Sequence, residues 1–108
     1  MIFVDSSLSW AQGRCALAHE IAHIDLKHKH SGFPWFDARQ EAEADQLAAR
    51  RLIGIAALAE AYAWSHDSAQ LAEALNVDGA TVLTRWNHLH PSERHYIEAR
   101  IALIEHAA

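Results

Sequence analysis

Punctuation constrains this chain first. Four glycines and two prolines in 108 residues leave long uninterrupted runs in which apolar residues recur at helical spacing. The fold class this predicts is mainly α, with Ile2-Phe3-Val4 as one brief N-terminal strand ended by Asp5-Ser6-Ser7. Ser9 can cap a first helix running from Trp10 to about Lys29, with Ala16, Leu17, Ile21, Ile24 and Leu26 as its apolar stripe. Ser31-Gly32-Phe33-Pro34 breaks that helix. Asp37, followed three residues later by Gln40, then predicts a capping box opening a second helix over 38–53, with Gly54 at its end. An Ala-rich helix through Leu58, Tyr62 and Trp64 follows, then one over 68–75 capped by Asp67. After the turn Asn76-Val77-Asp78-Gly79 comes a helix over 80–89, and Pro91 opens the last one.

This length predicts a single domain, residues 1–108, made of a His- and acid-bearing half (1–53) and a plainer helical half (54–108). Composition narrows the function. Cys15 is the lone cysteine, so no internal disulfide can form, and a reducing, cytoplasmic location is expected. No apolar run approaches the ~18 residues that span a bilayer, and the N-terminus lacks the pattern of a cleaved signal, so no membrane association is expected. A formal charge of −5 opposes autonomous binding to nucleic acid, which needs Lys and Arg against phosphates. Nine histidines are the excess that points to metal and acid–base chemistry.

The first helix carries His19-Glu20-Ile21-Ala22-His23. At ~100° per residue, His19 and His23 lie one turn apart on one face, where two imidazoles can bind one tetrahedral metal. Glu20 is displaced around the helix, badly placed for a third ligand but close enough to hold and deprotonate a water on the metal. A catalytic zinc takes a third protein ligand and keeps an open position. The second helix offers Glu41 and Asp45 one turn apart, and an antiparallel return over the eighteen residues from His23 can bring Glu41 to the metal. Asp45 would then accept the second N–H of His19 or His23 and fix its tautomer.

Arg14-Cys15-Ala16-Leu17-Ala18-His19-Glu20-Ile21-Ala22-His23 resembles the R-x-T-L-A-H-E-L-G-H stretch of the ImmA/IrrE family of zinc metallopeptidases. Glu41-Ala42-Glu43-Ala44-Asp45-Gln46-Leu47-Ala48-Ala49 is similar to that family's E-x-E-A-N-x-F-A-A, whose first Glu is the third zinc ligand. The opening Val4-Asp5-Ser6-Ser7-Leu8-Ser9 resembles its V-D-S-x-L-S, in the manner of small versions from actinobacteria and their phages. The resemblance covers residues 2–53 best. It implies a gluzincin-like site in which Zn2+ sits on His19, His23 and Glu41, Glu20 is the general base, and the substrate is a cytosolic regulatory protein such as a DNA-binding repressor. The family also has further strands ahead of its active-site helix, and one short strand is a poor edge on which to hold a peptide. The alternative reading is therefore a non-catalytic zinc-binding regulator docked on a repressor or a toxin–antitoxin partner.

Other features have plainer readings. Lys27-His28-Lys29-His30 reads as a solvated helix end, with an accessory metal pair of His28 and His30 as the alternative, and Glu43 as a solvated charge; Asp45 has Arg39 and Arg50 as alternative partners. Cys15 reads as a buried free thiol. Trp10, Trp35, Trp64 and Trp86 are expected to pack, with Trp35-Phe36 as a possible groove lining. Tyr96, His88, His90 and His95 are the candidates for an oxyanion donor. Residues 71–89 resemble a helix-turn-helix, but Arg85, the sole fixed cation of its second helix, falls at a position usually buried.

Overall fold

The computed structural model describes residues 9–107, so the strand expected at Ile2–Val4 lies outside the described residues. Within them the chain forms six helices and no strand: α1 (Trp10–Asp25), α2 (Pro34–Leu52), α3 (Ile55–Trp64), α4 (Ser68–Leu75), α5 (Gly79–Asn87) and α6 (Pro91–Ala107). No described helix is long and apolar enough to cross a membrane.

Most helix starts follow local chemistry. The Ser9 hydroxyl accepts the Gln12 N–H at 3.2 Å while the Gln12 side chain accepts the Ser9 N–H at 3.1 Å, a reciprocal capping box. Asp67 and Asp78 cap α4 and α5 by accepting the N–H groups of Ala69 and Thr81. Two boundaries differ from expectation. Helix α1 stops at Asp25 rather than near Lys29, because Lys27 adopts a left-handed conformation (φ 57°). That turn sends the Lys27 N–H to the Ile24 carbonyl (3.1 Å) and the His28 N–H to the His23 carbonyl (3.0 Å). The pattern is that of a Schellman C-cap, with lysine where glycine is the usual residue.

Helix α2 starts at Pro34 instead of residue 38, since Pro34 needs no N–H partner in the first turn. Asp37 is then inside the helix and fastens the preceding loop instead: its carboxylate accepts the Ser31 N–H at 2.9 Å and the Ser31 hydroxyl at 2.8 Å. These bonds hold the Asp37 carboxyl below its ordinary pKa, with the Ser31 N–H as the main cause and His30 adding a smaller Coulombic contribution.

Packing divides the molecule. Helices α1 and α2 meet through small side chains, Ala22, Ala44 and Ala48 being buried against Ala18 and Leu47. The larger core gathers Cys15, Ile53, Leu58, Ala59, Leu71, Ala72, Val77, Val82 and Ile97, drawn from α1 and from the chain beyond α2. The expected apolar stripe of α1 is not its buried face. Leu17, Ile21, Ile24 and Leu26 are all exposed, whereas Cys15, Ala18 and Ala22 turn inward, because the alanine-lined surface of α2 accommodates only small partners. Trp10, Trp35 and Trp64 are likewise exposed; Trp86 packs on the main core and stacks on Tyr62 at 4.7 Å.

Arg85 ties the halves together. It is 4% exposed, its Nε–H donates to the Ile53 carbonyl at 2.9 Å, and its terminal nitrogens donate to both Glu93 oxygens at 3.2 and 2.5 Å. That fork pulls the Glu93 carboxyl down to about 2. Helix α5, the second helix of the helix-turn-helix-like segment, thus keeps its fixed cation inside the core, out of reach of a phosphate.

Candidate metal centre

The alanine seam lets α1 and α2 approach closely enough for short acidic side chains to reach across it. On α1, His19 and His23 project together one turn apart, their rings edge to face with centroids 4.6 Å apart. On α2, Glu41 and Asp45 flank buried Ala44. The Nε2 atoms of His19 and His23 lie 3.0 Å apart. Glu41 closes the triangle, with Oε2 2.9 Å from His19 Nε2 and Oε1 3.0 Å from His23 Nε2.

Ligand atoms of these three residues all fall within 4.8 Å of one another. Edges near 3 Å are close to the ~3.3 Å edge of a tetrahedron whose centre lies ~2.0–2.1 Å from each donor, as around zinc. Two imidazole nitrogens and a carboxylate brought to one point are also an arrangement that a cation satisfies, since neutral imidazoles alone can share only one proton between two facing nitrogens. The donor set therefore suits a divalent metal with nitrogen and oxygen ligands.

Asp45 sits behind this triangle, its Oδ1 2.8 Å from His19 Nδ1, and so meets His19 rather than Arg39 or Arg50. Glu20 is exposed and lines a cleft of about 240 Å³ with His23 and Glu41. A larger cleft of about 390 Å³ opens on the other side of His19, between α1, α2 and the start of α5, with Gln12, Asp45, Asp78, Thr81 and Thr84 among its walls. Cys15 is buried on the floor of this cleft, its sulfur accepting from the Thr81 hydroxyl at 3.3 Å. Tyr96, His88, His90 and His95 line neither cleft; Tyr96 and His95 lie on α6, which packs chiefly on α3.

Two residues that read from sequence as solvated belong to the centre. His28 keeps only 10% of its side chain exposed, and its Nδ1 lies 2.9 Å from His23 Nδ1; its Nε2 lies 3.1 Å from Glu43 Oε2. Nothing in the apolar periodicity flagged His28, because its place depends on the left-handed turn at Lys27 that no glycine announces.

Helical folding, a two-histidine turn and a carboxylate crossing from the next helix together make a His–His–Glu group that could hold a metal ion. The family model described as Peptidase_M78, the IrrE N-terminal-like domain, matches residues 1–87, and the chain belongs to that family. No curated protein and no solved structure matches the chain significantly. Membership supports a function of metallopeptidase type, in a family that is typically metal-dependent.

Proposed function

We propose that this protein is a zinc-dependent metallopeptidase acting on a protein substrate, with His19, His23 and Glu41 as metal ligands and Glu20 as general base. The observation that carries the reading is the convergence of both Nε2 atoms and the Glu41 carboxylate on one point. Three protein ligands leave a coordination position for chemistry, as catalytic zinc sites do. Bound there, zinc supplies Lewis acidity that polarises a carbonyl and lowers the pKa of water.

The protein's own groups do the rest. Glu20 shares the 240 Å³ cleft with His23 and Glu41, accepts the proton of the attacking water, and returns it to the leaving amine. Asp45 accepts the His19 Nδ1–H, holding the tautomer whose Nε2 lone pair faces the metal point. The larger cleft, walled by Gln12, Thr81 and Thr84, takes the substrate chain beside His19. By family resemblance the substrate is a cytosolic regulatory protein such as a repressor, met in the cytoplasm.

Zinc-loaded protein incubated with a proteome-derived peptide library, read by mass spectrometry, tests this. New termini made by the wild type and lost in Glu20→Gln, with zinc retained, are expected. Cleavage undiminished by Glu20→Gln would overturn the role of Glu20.

One observation favours a second reading, a non-catalytic zinc-binding regulator. Trp10, Leu17, Ile21 and Ile24 leave much of α1 apolar and exposed, a surface suited to a protein partner. Zinc binding without any cleavage by the wild type would support it.

A further inference from the structure

The two histidines of the centre are not held alike. His19 leans directly on a carboxylate, Asp45, whereas His23 leans on another imidazole. We propose that His28, backed by Glu43, is the positioning partner of His23, a hydrogen-bonded relay that orients the second metal-binding histidine. The proposal rests on the metal-binding reading of His19, His23 and Glu41.

Proton positions follow from the acceptors. An ionised Glu43 carboxylate only accepts, so the His28 nitrogen facing it, Nε2, carries the hydrogen. In a neutral His28 the other nitrogen, Nδ1, is then an acceptor. It lies 2.9 Å from His23 Nδ1, which must be the donor of that bond. His23 thereby keeps its hydrogen on Nδ1 and its lone pair on Nε2, the atom that meets Glu41 and His19 Nε2. The reverse assignment would aim the lone pair of His28 Nε2 at the carboxylate and move the His23 hydrogen into the centre.

The backbone builds this relay from both sides. The left-handed Lys27 bends the chain so that the His28 N–H donates to the carbonyl of His23 itself at 3.0 Å, bringing the two rings to 5.1 Å between centroids. Beyond His28, buried Gln40 on α2 grips Lys29, its side-chain oxygen accepting the Lys29 N–H at 3.0 Å and its amide donating to the Lys29 carbonyl at 2.8 Å. Arg39 steadies Glu43 through Oε1 at 3.4 Å, leaving Oε2 for His28. A residue so clamped, and so little exposed, is unlike a solvated helix end.

Zinc affinity measured by competition with a chromophoric chelator tests the relay, alongside thermal unfolding of the metal-free protein as a readout of structure alone. His28→Phe keeps a ring but offers no acceptor; its zinc affinity should fall about 10- to 100-fold, the usual cost of losing such a partner, while metal-free unfolding stays near the wild type. His28→Gln, whose carbonyl can accept the His23 hydrogen, should recover part of that loss. Glu43 is half exposed, so Glu43→Ala keeps the fold and should weaken zinc several-fold, on the order of 3- to 10-fold. Affinity within twofold of the wild type in Glu43→Ala and in any folded His28→Phe would overturn the relay and leave the metal site standing. A wild type that takes up no zinc would overturn the metal-binding reading and the relay with it.

Discussion

The α1–α2 pair and the α3–α6 bundle solve different problems with the same helical material. In the pair, contact is made by alanines, and larger apolar residues on α1 face outward. Little apolar area is buried there, and the polar residues do the specific work of holding two rings in place. In the bundle, Leu58, Leu71, Val82 and Ile97 are buried, and one buried charge, Arg85, is fully answered by Glu93 and the Ile53 carbonyl. Close approach serves the site in the first region; burial serves stability in the second.

Four experiments probe that contrast. The largest loss should come from the bundle: Leu58 is fully buried, and Leu58→Ala should cost about 2–5 kcal/mol in denaturant unfolding while zinc affinity per folded molecule is unchanged. A fall in zinc affinity as large as the fall in stability would erase the division.

Acid titration should expose the Arg85–Glu93 tie next. The Glu93 carboxyl lies at about 2 in the folded protein, below its ordinary 4.5, so its contribution is complete above about pH 5 and lost as pH falls toward 2. The depressed pKa corresponds to at most about 3 kcal/mol. Glu93→Gln should flatten this part of the stability–pH curve, measured by urea unfolding at successive pH values; a variant as acid-sensitive as the wild type in that window would contradict the assignment.

The seam between α1 and α2 should show the converse behaviour. Ala44 is fully buried, and Ala44→Leu should cost about 1–3 kcal/mol by overpacking. Because the added bulk pushes Glu41 and Asp45 away from His19, zinc affinity should drop as well, which calorimetric titration would register. Unchanged zinc affinity would mean that helix spacing does not set the site.

The smallest effect should be at Lys27. Its left-handed backbone suits glycine better, so Lys27→Gly should raise the metal-free stability by up to about 1 kcal/mol and leave zinc binding intact. A loss of stability would show that the lysine side chain, rather than the turn, matters there.

Much of this molecule was legible in its residues. Ser9, Asp67 and Pro91 announce helix starts because capping is local chemistry, and the helices they open begin where expected. The histidine pair and the acidic pair were legible for the same reason, since spacing on a helix fixes a shared face. What escaped depended on the tertiary arrangement. The exposed stripe of α1 looked like a core face because periodicity reports amphipathicity and not which side a neighbour covers. His28 and Glu43 looked solvated because their meeting requires a lysine in a conformation that sequence assigns to glycine, together with a second helix laid alongside. Arg85 falls in the sequence where a buried residue belongs, yet its partners Ile53 and Glu93 lie on other elements and leave no local trace.

If α1 and α2 build one metal site, its ligands and its base are separate residues. Elemental analysis of the purified protein after zinc loading and desalting, with Glu41→Ala and Glu20→Gln beside the wild type, separates the two roles. Stoichiometric zinc is expected in the wild type and in Glu20→Gln, and a large loss in Glu41→Ala. A wild type that retains no zinc, or a Glu41→Ala variant that retains as much as the wild type, would contradict the account.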